Sequence, residues 1–450
     1  MSRLLSADNE DTGVIESDAT LTCALLREES TMKNIEQTRR ETPLTHPRET
    51  DARRDAVRSS YPEEEPVEGA TPRGWRLEVR ATERKSFTEY HLTGTIECSG
   101  QAVDELFAQV AAAIAEQGIQ PIQEKLYGLS TERVDVLKRR ESAYRREELD
   151  LSVPVTWIQG TPLGGLEFAG LQIWGIVPRG TGTSVTTVEN PVTGRGRLLT
   201  GRGFRMLHLP SIRGTTPAGT LAGDAVAQAD QMFTNVGLGL KAHGFEYRQV
   251  ARTWIYLARL LEWYGDFNRV RTAHYRPAGF GVEGGPAFPA STGIQGQSDG
   301  EECLLDVLAL DSDSPKSAAA LPIRRSPRQD QSFNYGSAFS RGMTIEIEGT
   351  RTVHISGTAS INPAGASVHV GDAEMQSLET LMCIAAILEE QGGSLENITS
   401  STLFCKDRGA WEAWNRVIRL LKVPAFPKVC VLADVCRDNL LVEMEVVAVI

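Results

Sequence analysis

The 450-residue chain has no apolar run long enough to span a bilayer, which takes about 20 predominantly apolar residues. Its first residues lack the apolar core of a secretory signal. Positive charge is not in excess either, since the formal net charge is −12. Phosphate binding draws on clustered Lys and Arg, so this balance argues against a general affinity for nucleic acid. Seven cysteines are scattered along the chain. Neither they nor His208, His354 and His369 have metal-ligand spacing. An odd cysteine count without a secretory signal points to reduced thiols and a cytoplasmic protein. No glycine-rich phosphate loop stands out: Gly284-Gly285 precedes Phe288 in a loop and does not follow a strand. The expectation is a protein without metal or cofactor that binds neither nucleic acid nor membrane.

What the chain does contain is repetition. FPASTGIQGQSDGEECLLDVLAL from Phe288 is echoed by FPKVCVLADVCRDNLLVEMEVVAVI from Phe426. Ser291 and Asp306 are fifteen residues apart, and so are Lys428 and Glu443. A carboxylate inside an apolar strand is costly unless paired or used. Glu443 is therefore a candidate site residue with Asp306 as its expected counterpart, and Glu445 alternates to the same side. Upstream, Gly223-Asp224-Ala225 with Gln228 matches Gly371-Asp372-Ala373 with Gln376. Each opens an apolar-periodic helix with Asp as N-cap, and Gly244 or Gly392 closes it. A strand from Val250 or Ile398 follows, then a helix bearing Phe267-Asn268 or Trp414-Asn415.

Residues 1–72 are polar and charged without sustained apolar period and read as a disordered tail. From Trp75 the order strand, helix, strand, helix, strand, strand recurs. Three copies of one α+β unit are expected, at 73–180, 190–312 and 333–450. A linker rich in Ser, Pro, Arg and Asp is expected at 313–332. A period above one hundred residues means domain duplication, not a solenoid.

The third unit resembles the RidA (YjgF) proteins, often labelled endoribonuclease L-PSP. The resemblance lies in SGTASI at 356–361, VGDAEMQ at 370–376 and Val442-Glu443-Met444-Glu445. RidA proteins are homotrimers with ligand clefts between subunits. The resemblance therefore implies three RidA-like units of the chorismate-mutase-like type in one chain. They would form a pseudo-trimeric barrel with sheets inside and helices outside, and the protein would be a monomer. Within that superfamily the chain is similar to the chorismatases. The residues concerned are 334–341 (NYGSAFSR), Arg252-Thr253-Trp254 with Tyr256, 289–294 (PASTGI) and 434–443 (DVCRDNLLVE).

By that resemblance Glu443 corresponds to the carboxylate that protonates an enolpyruvyl group in chorismatases, or helps hold the water that attacks an imine in RidA. Cys436 falls at a position lining the chorismatase pocket. The Arg that clamps a substrate carboxylate in RidA falls on Lys428 in the third unit and Ser291 in the second. Lys is a point charge, not a bidentate fork, which counts against simple imine hydrolysis. Substrate carboxylates need cations close by. Candidates are Lys428, Arg437 in a turn, and Arg252 on an apolar strand, where an internal ion pair is the rival reading. Tyr335 and Arg341 either contact substrate or pin the linker. The implied function is chorismatase-like: general-acid-assisted hydrolysis or lysis of a small enolpyruvyl or cyclic carboxylic acid. The alternatives are a RidA-type enamine or imine deaminase and a non-enzymatic metabolite-binding protein. Endoribonuclease activity has no basic groove to support it.

Overall fold

The computed structural model describes residues 57–59, 74–97, 101–163, 167–297 and 300–450. The expected tail, apart from 57–59, lies outside them. The first sheet is built from β1 (Val57–Ser59), β2 (Trp75–Glu83), β3 (Phe87–Ile96), β4 (Gln120–Gly128), β5 (Val155–Gln159) and β6 (Phe168–Pro178). Its helices are α1 (Gln101–Gln117) and α2 (Arg133–Arg146). The second sheet holds β7 (Ser184–Asn190), β8 (Gly194–Gly201), β9 (Phe204–Arg213), β10 (Val250–Leu257), β11 (Ala290–Gln295) and β12 (Cys303–Ser312), with α3 (Ala225–Ala242) and α4 (Leu260–Tyr275). The third holds β13 (Ala318–Ile323), β14 (Gly342–Ile347), β15 (Thr350–Ala359), β16 (Ile398–Cys405), β17 (Val429–Leu432) and β18 (Val442–Val449), with α5 (Ala373–Glu390) and α6 (Arg408–Leu421).

Strand orders are β1-β2-β3-β6-β4-β5, β7-β8-β9-β12-β10-β11 and β13-β14-β15-β18-β16-β17, so one topology occurs three times. The barrel expectation is corrected here. Each sheet is open, with free edges at β1 and β5, β7 and β11, β13 and β17. Closing a sheet requires its first and last strands to pair in a ladder. Here, among the described residues, no strand ladder joins neighbouring sheets, whose backbone pairing is limited to isolated bridges such as Thr161 with Leu432 and Ala290 with Ser340. The segment expected as a linker contains β13, which pairs with β14 along its whole length.

Period-two alternation decides what each strand face meets. On β18, Val442, Met444, Val446 and Ala448 join α5 and α6 in one apolar cluster. Glu443 and Glu445 therefore share the opposite face, turned to the core common to the three sheets. That core includes Tyr127, Tyr256 and Phe404, one from each sheet. The helices start where the caps predict: Asp224 accepts from Ala227 N and Asp372 from Met375 N. Among the described residues, no helix is long and apolar enough to cross a membrane.

Register corrects the sequence echo. Tyr256 pairs with Leu304 and Trp254 with Asp306 on β12, while Phe404 pairs with Glu443 and Thr402 with Glu445 on β18. Both strand pairs carry the same bulge near their start, after Val250 and after Ile398. Asp306 is thus the counterpart of Glu445, and Glu443 is matched by Leu304. In the first unit the matching residues are Gln172 and Gly170. A methyl on Gly170 (φ +156°) would collide with the Gly94 carbonyl. The acid at 443 exists in one unit of three.

Candidate active site

A cavity of about 620 Å³ lies between the second and third units. Helix α4 and strand β11 form one wall, with Tyr264, Asn268, Arg271, Ser291 and Gly293. The third unit supplies Tyr335, Arg341, Gly357, Cys436, Arg437 and Glu443. Of the residues singled out from sequence, Glu443, Cys436, Arg437, Tyr335 and Arg341 converge here.

Glu443 is 4% exposed. No cation lies within ion-pair distance of it among the described residues. Burial, reinforced by the nearby Glu445 carboxylate, pushes its carboxyl up to about 8 against the pull of Arg252 and a hydrogen bond with Cys436. The group is therefore mostly protonated at neutral pH, the state a general acid needs. Burial, with Glu443 next, pushes the Cys436 thiol up to about 12. A thiol held neutral in this way is a poor nucleophile.

Arg341 donates through Nε and Nη2 to the Asp330 carbonyl, at 2.9 and 2.8 Å, and through Nη2 to the Tyr335 hydroxyl. Arg437 donates to the Gly365 carbonyl at 2.7 Å and lies over the Tyr335 ring. Neither has a carboxylate partner among the described residues. Both hold Tyr335 in place and leave net positive charge on the cavity wall.

The other two candidates lie elsewhere. Arg252 reaches Glu445 at 2.9 Å and the Thr292 hydroxyl at 2.6 Å, deep between the sheets. Its substrate-contact reading is corrected to the internal ion pair, because Glu445 sits on the same inward face and claims the charge. Lys428 lies under Phe426 and Trp414 on the α6 side of the third sheet, off this cavity. Burial lowers its pKa. Among the described residues, no group of three or more His, Cys, Asp or Glu is placed to hold a metal.

Arg271 on the α4 wall is not assigned a role by the sequence. Trp263, Phe267, Arg271 and Tyr275 form a buried stripe at four-residue spacing. An Arg within an otherwise aromatic stripe was the available signal, since Arg is rarely fully buried without a partner.

Gly357 faces the acid directly, and a methyl there would meet Glu443 Oε1 well inside contact distance. Gly357→Ala should therefore displace the carboxyl and reduce turnover by at least tenfold. Overpacking of this kind costs about 1–3 kcal/mol of stability. Steady-state kinetics beside a denaturant melt checks both.

Residues 336–450 match the family described as Endoribonuclease L-PSP. The 3-aminoacrylate deaminase RutC of Acinetobacter baylyi is 32% identical over 97 residues, 21% of this chain and 77% of that protein. A chorismatase crystal structure superposes with TM-score 0.51 at 19% identity, over 73% of this chain and 92% of that one, and shares the fold. The Rid-family protein YyfA from Yersinia pestis is 25% identical, with TM-score 0.25, over 29% of this chain and all of its own. The family match over residues 336–450 and the similarity to RutC place the chain in the RidA/YjgF family, the family described as Endoribonuclease L-PSP.

Proposed function

We propose that the protein is an enzyme of small-metabolite hydrolysis, in which Glu443 protonates the enol-ether carbon of an enolpyruvyl or cyclic carboxylic acid. The carrying observation is a buried carboxyl with its pKa raised to about 8 in a cavity walled by guanidinium groups. Proton transfer from Glu443 to the terminal carbon turns the enol ether into an oxocarbenium ion. Water adds to that cation and loses a proton. The hemiketal then collapses, releasing the ring alcohol and pyruvate. Over the cycle one water is consumed, and the proton given up by water restores the acid. Arg341 and Arg437 supply the positive field that holds an anionic substrate. Cys436, neutral beside Glu443, fills the wall between acid and ring.

The similarity to a 3-aminoacrylate deaminase favours a second reading. The same acid would protonate an enamine carbon, and water would displace ammonia from the resulting iminium ion. The absence of an Arg at both 291 and 428 weighs against it. One experiment separates the two: chorismate and 2-aminoacrylate are each supplied to the purified chain, and pyruvate and ammonia are both measured. Pyruvate without ammonia from chorismate supports the first reading. Ammonia released from the enamine faster than in an enzyme-free control supports the second. No rate above that control from either substrate removes both.

A further inference from the structure

We infer that Arg271 is the anchor for a substrate carboxylate, a clamp carried by helix α4 instead of strand β11. This deepens the reading above and rests on it for the identity of the site. The same position is occupied differently in the three units of the chain.

The registers Leu126 with Trp157, Ile255 with Gly293 and Leu403 with Cys430 align the parallel edges of the three sheets. They make Glu124, Thr253 and Ser401 equivalent, each one alternation earlier on the helix-facing side. In the first unit, Glu124 is fully buried and takes both prongs of Arg140 from α2, Nε at 2.7 Å and Nη2 at 2.6 Å. Arg140 belongs to the buried stripe Val136, Arg140, Tyr144. The stripe Phe267, Arg271, Tyr275 on α4 repeats it, with Tyr again four residues after Arg.

In the second unit the carboxylate is missing. Thr253 stands where Glu124 stood, and its hydroxyl donates to Ser291 at 2.9 Å. Arg271 is only 1% exposed, and its Nε is buried without a partner. Nη2 donates to the neutral amide oxygen of Asn268 at 2.5 Å. Among the described residues no carboxylate lies within ion-pair distance of it. A buried guanidinium without a counter-charge costs several kcal/mol, so the site favours an anion.

Space has opened beside the same group. The first unit fills the adjoining position with Trp157, 4% exposed, and the third places Cys430 there. The second has Gly293, which lines the cavity and puts no side chain into it. Ser291, at the position of the RidA clamp, is short enough to leave the cavity clear. One copy of the unit thus has its Arg neutralised by Glu124 and a buried Trp at the adjoining position. Another has its Arg unpaired and its cleft open. A carboxylate ligand in that cleft would take the place of Glu124.

The test restores the missing acid. Thr253→Glu and Arg271→Gln are made in the full chain, with benzoate and pyruvate as probes and calorimetry as readout. Charge-assisted hydrogen bonds contribute about 1.5–3 kcal/mol, so either variant should weaken binding of a probe that the wild type binds by roughly 10- to 100-fold. Thr253→Glu supplies an internal partner for the guanidinium, so it should keep or raise the melting temperature, which separates lost charge from lost fold. Glu443→Gln should bind the probes as the wild type does. Unchanged binding in both variants, or no binding of either probe by the wild type, overturns the anchor. If binding depends on Arg271 but no substrate turns over, the anchor stands and the acid-catalysis reading falls.

Discussion

Replacing Glu443 with Gln should lower turnover by roughly 100- to 10,000-fold, the usual contribution of a positioned general acid, while substrate affinity changes little. The amide keeps the shape of the side chain and removes only the transferable proton. The pH profile carries an independent signature. With the carboxyl titrating near 8, kcat/KM should hold below that value and fall as pH rises through it. Stability should follow the same group. Its folded pKa lies above the ordinary 4.5 because burial disfavours the charged form. The folded chain therefore binds this proton more tightly than the unfolded chain. The stabilisation is complete below 4.5 and disappears as pH rises through about 8. Glu443→Gln carries no such penalty, so it should melt progressively higher than the wild type as pH is raised from 5 to 9. Full turnover in the variant would show that Glu443 does not donate the proton, and a melting difference flat in pH would show that it does not titrate as its burial requires.

Much of this arrangement was legible in the chain, and the parts that were not share a physical cause. Asp224 and Asp372 announced their helices because capping is local, set by a side chain and the amides of the next turn. The inward face of β18 was legible because alternation is local too. The match of Asp306 to Glu443 failed because a slip of two residues keeps every side chain on the same face. The connection 296–302 is two residues shorter than 433–441. Equal offsets therefore landed on non-equivalent positions, and only the ladders reveal it. Arg252 and Lys428 were misplaced because which element covers a strand face is a tertiary fact. The closed barrel failed for a similar reason, since strand count and order say nothing about whether the two edges meet. Arg271 stayed hidden because its partner, Glu124 in the first unit, is absent from its own, and an absence becomes visible only once the units are superposed.

Glu445→Ala should be among the most destabilising single changes in the chain, by about 3–5 kcal/mol. Glu445 from the third sheet binds Arg252 of the second at 2.9 Å and Lys125 of the first at 3.5 Å. All three side chains are almost wholly buried. Lys125 and Arg252 also lie over the Trp254 ring, at 4.2 and 5.0 Å from its centre. One acid thus holds two cations where the three sheets meet. Removing it leaves both charges in an apolar interior, with the Trp254 ring face and, for Arg252, the Thr292 hydroxyl as nearest compensation, and a ring face is worth about 2 kcal/mol or somewhat more when desolvated. Lys125→Met removes one of the two cations, leaves the Arg252 pair intact and refills the volume, so it should cost far less. Asp306, the structural counterpart of Glu445, would not rescue the loss. It is already held by Thr156 and the Ser211 amide, both at 2.7 Å. Urea titrations of the two variants decide the matter through their midpoints at unchanged slope. Equal midpoints for Glu445→Ala and the wild type would mean that the apolar core alone joins the three sheets, and that this ion cluster contributes specificity instead of stability.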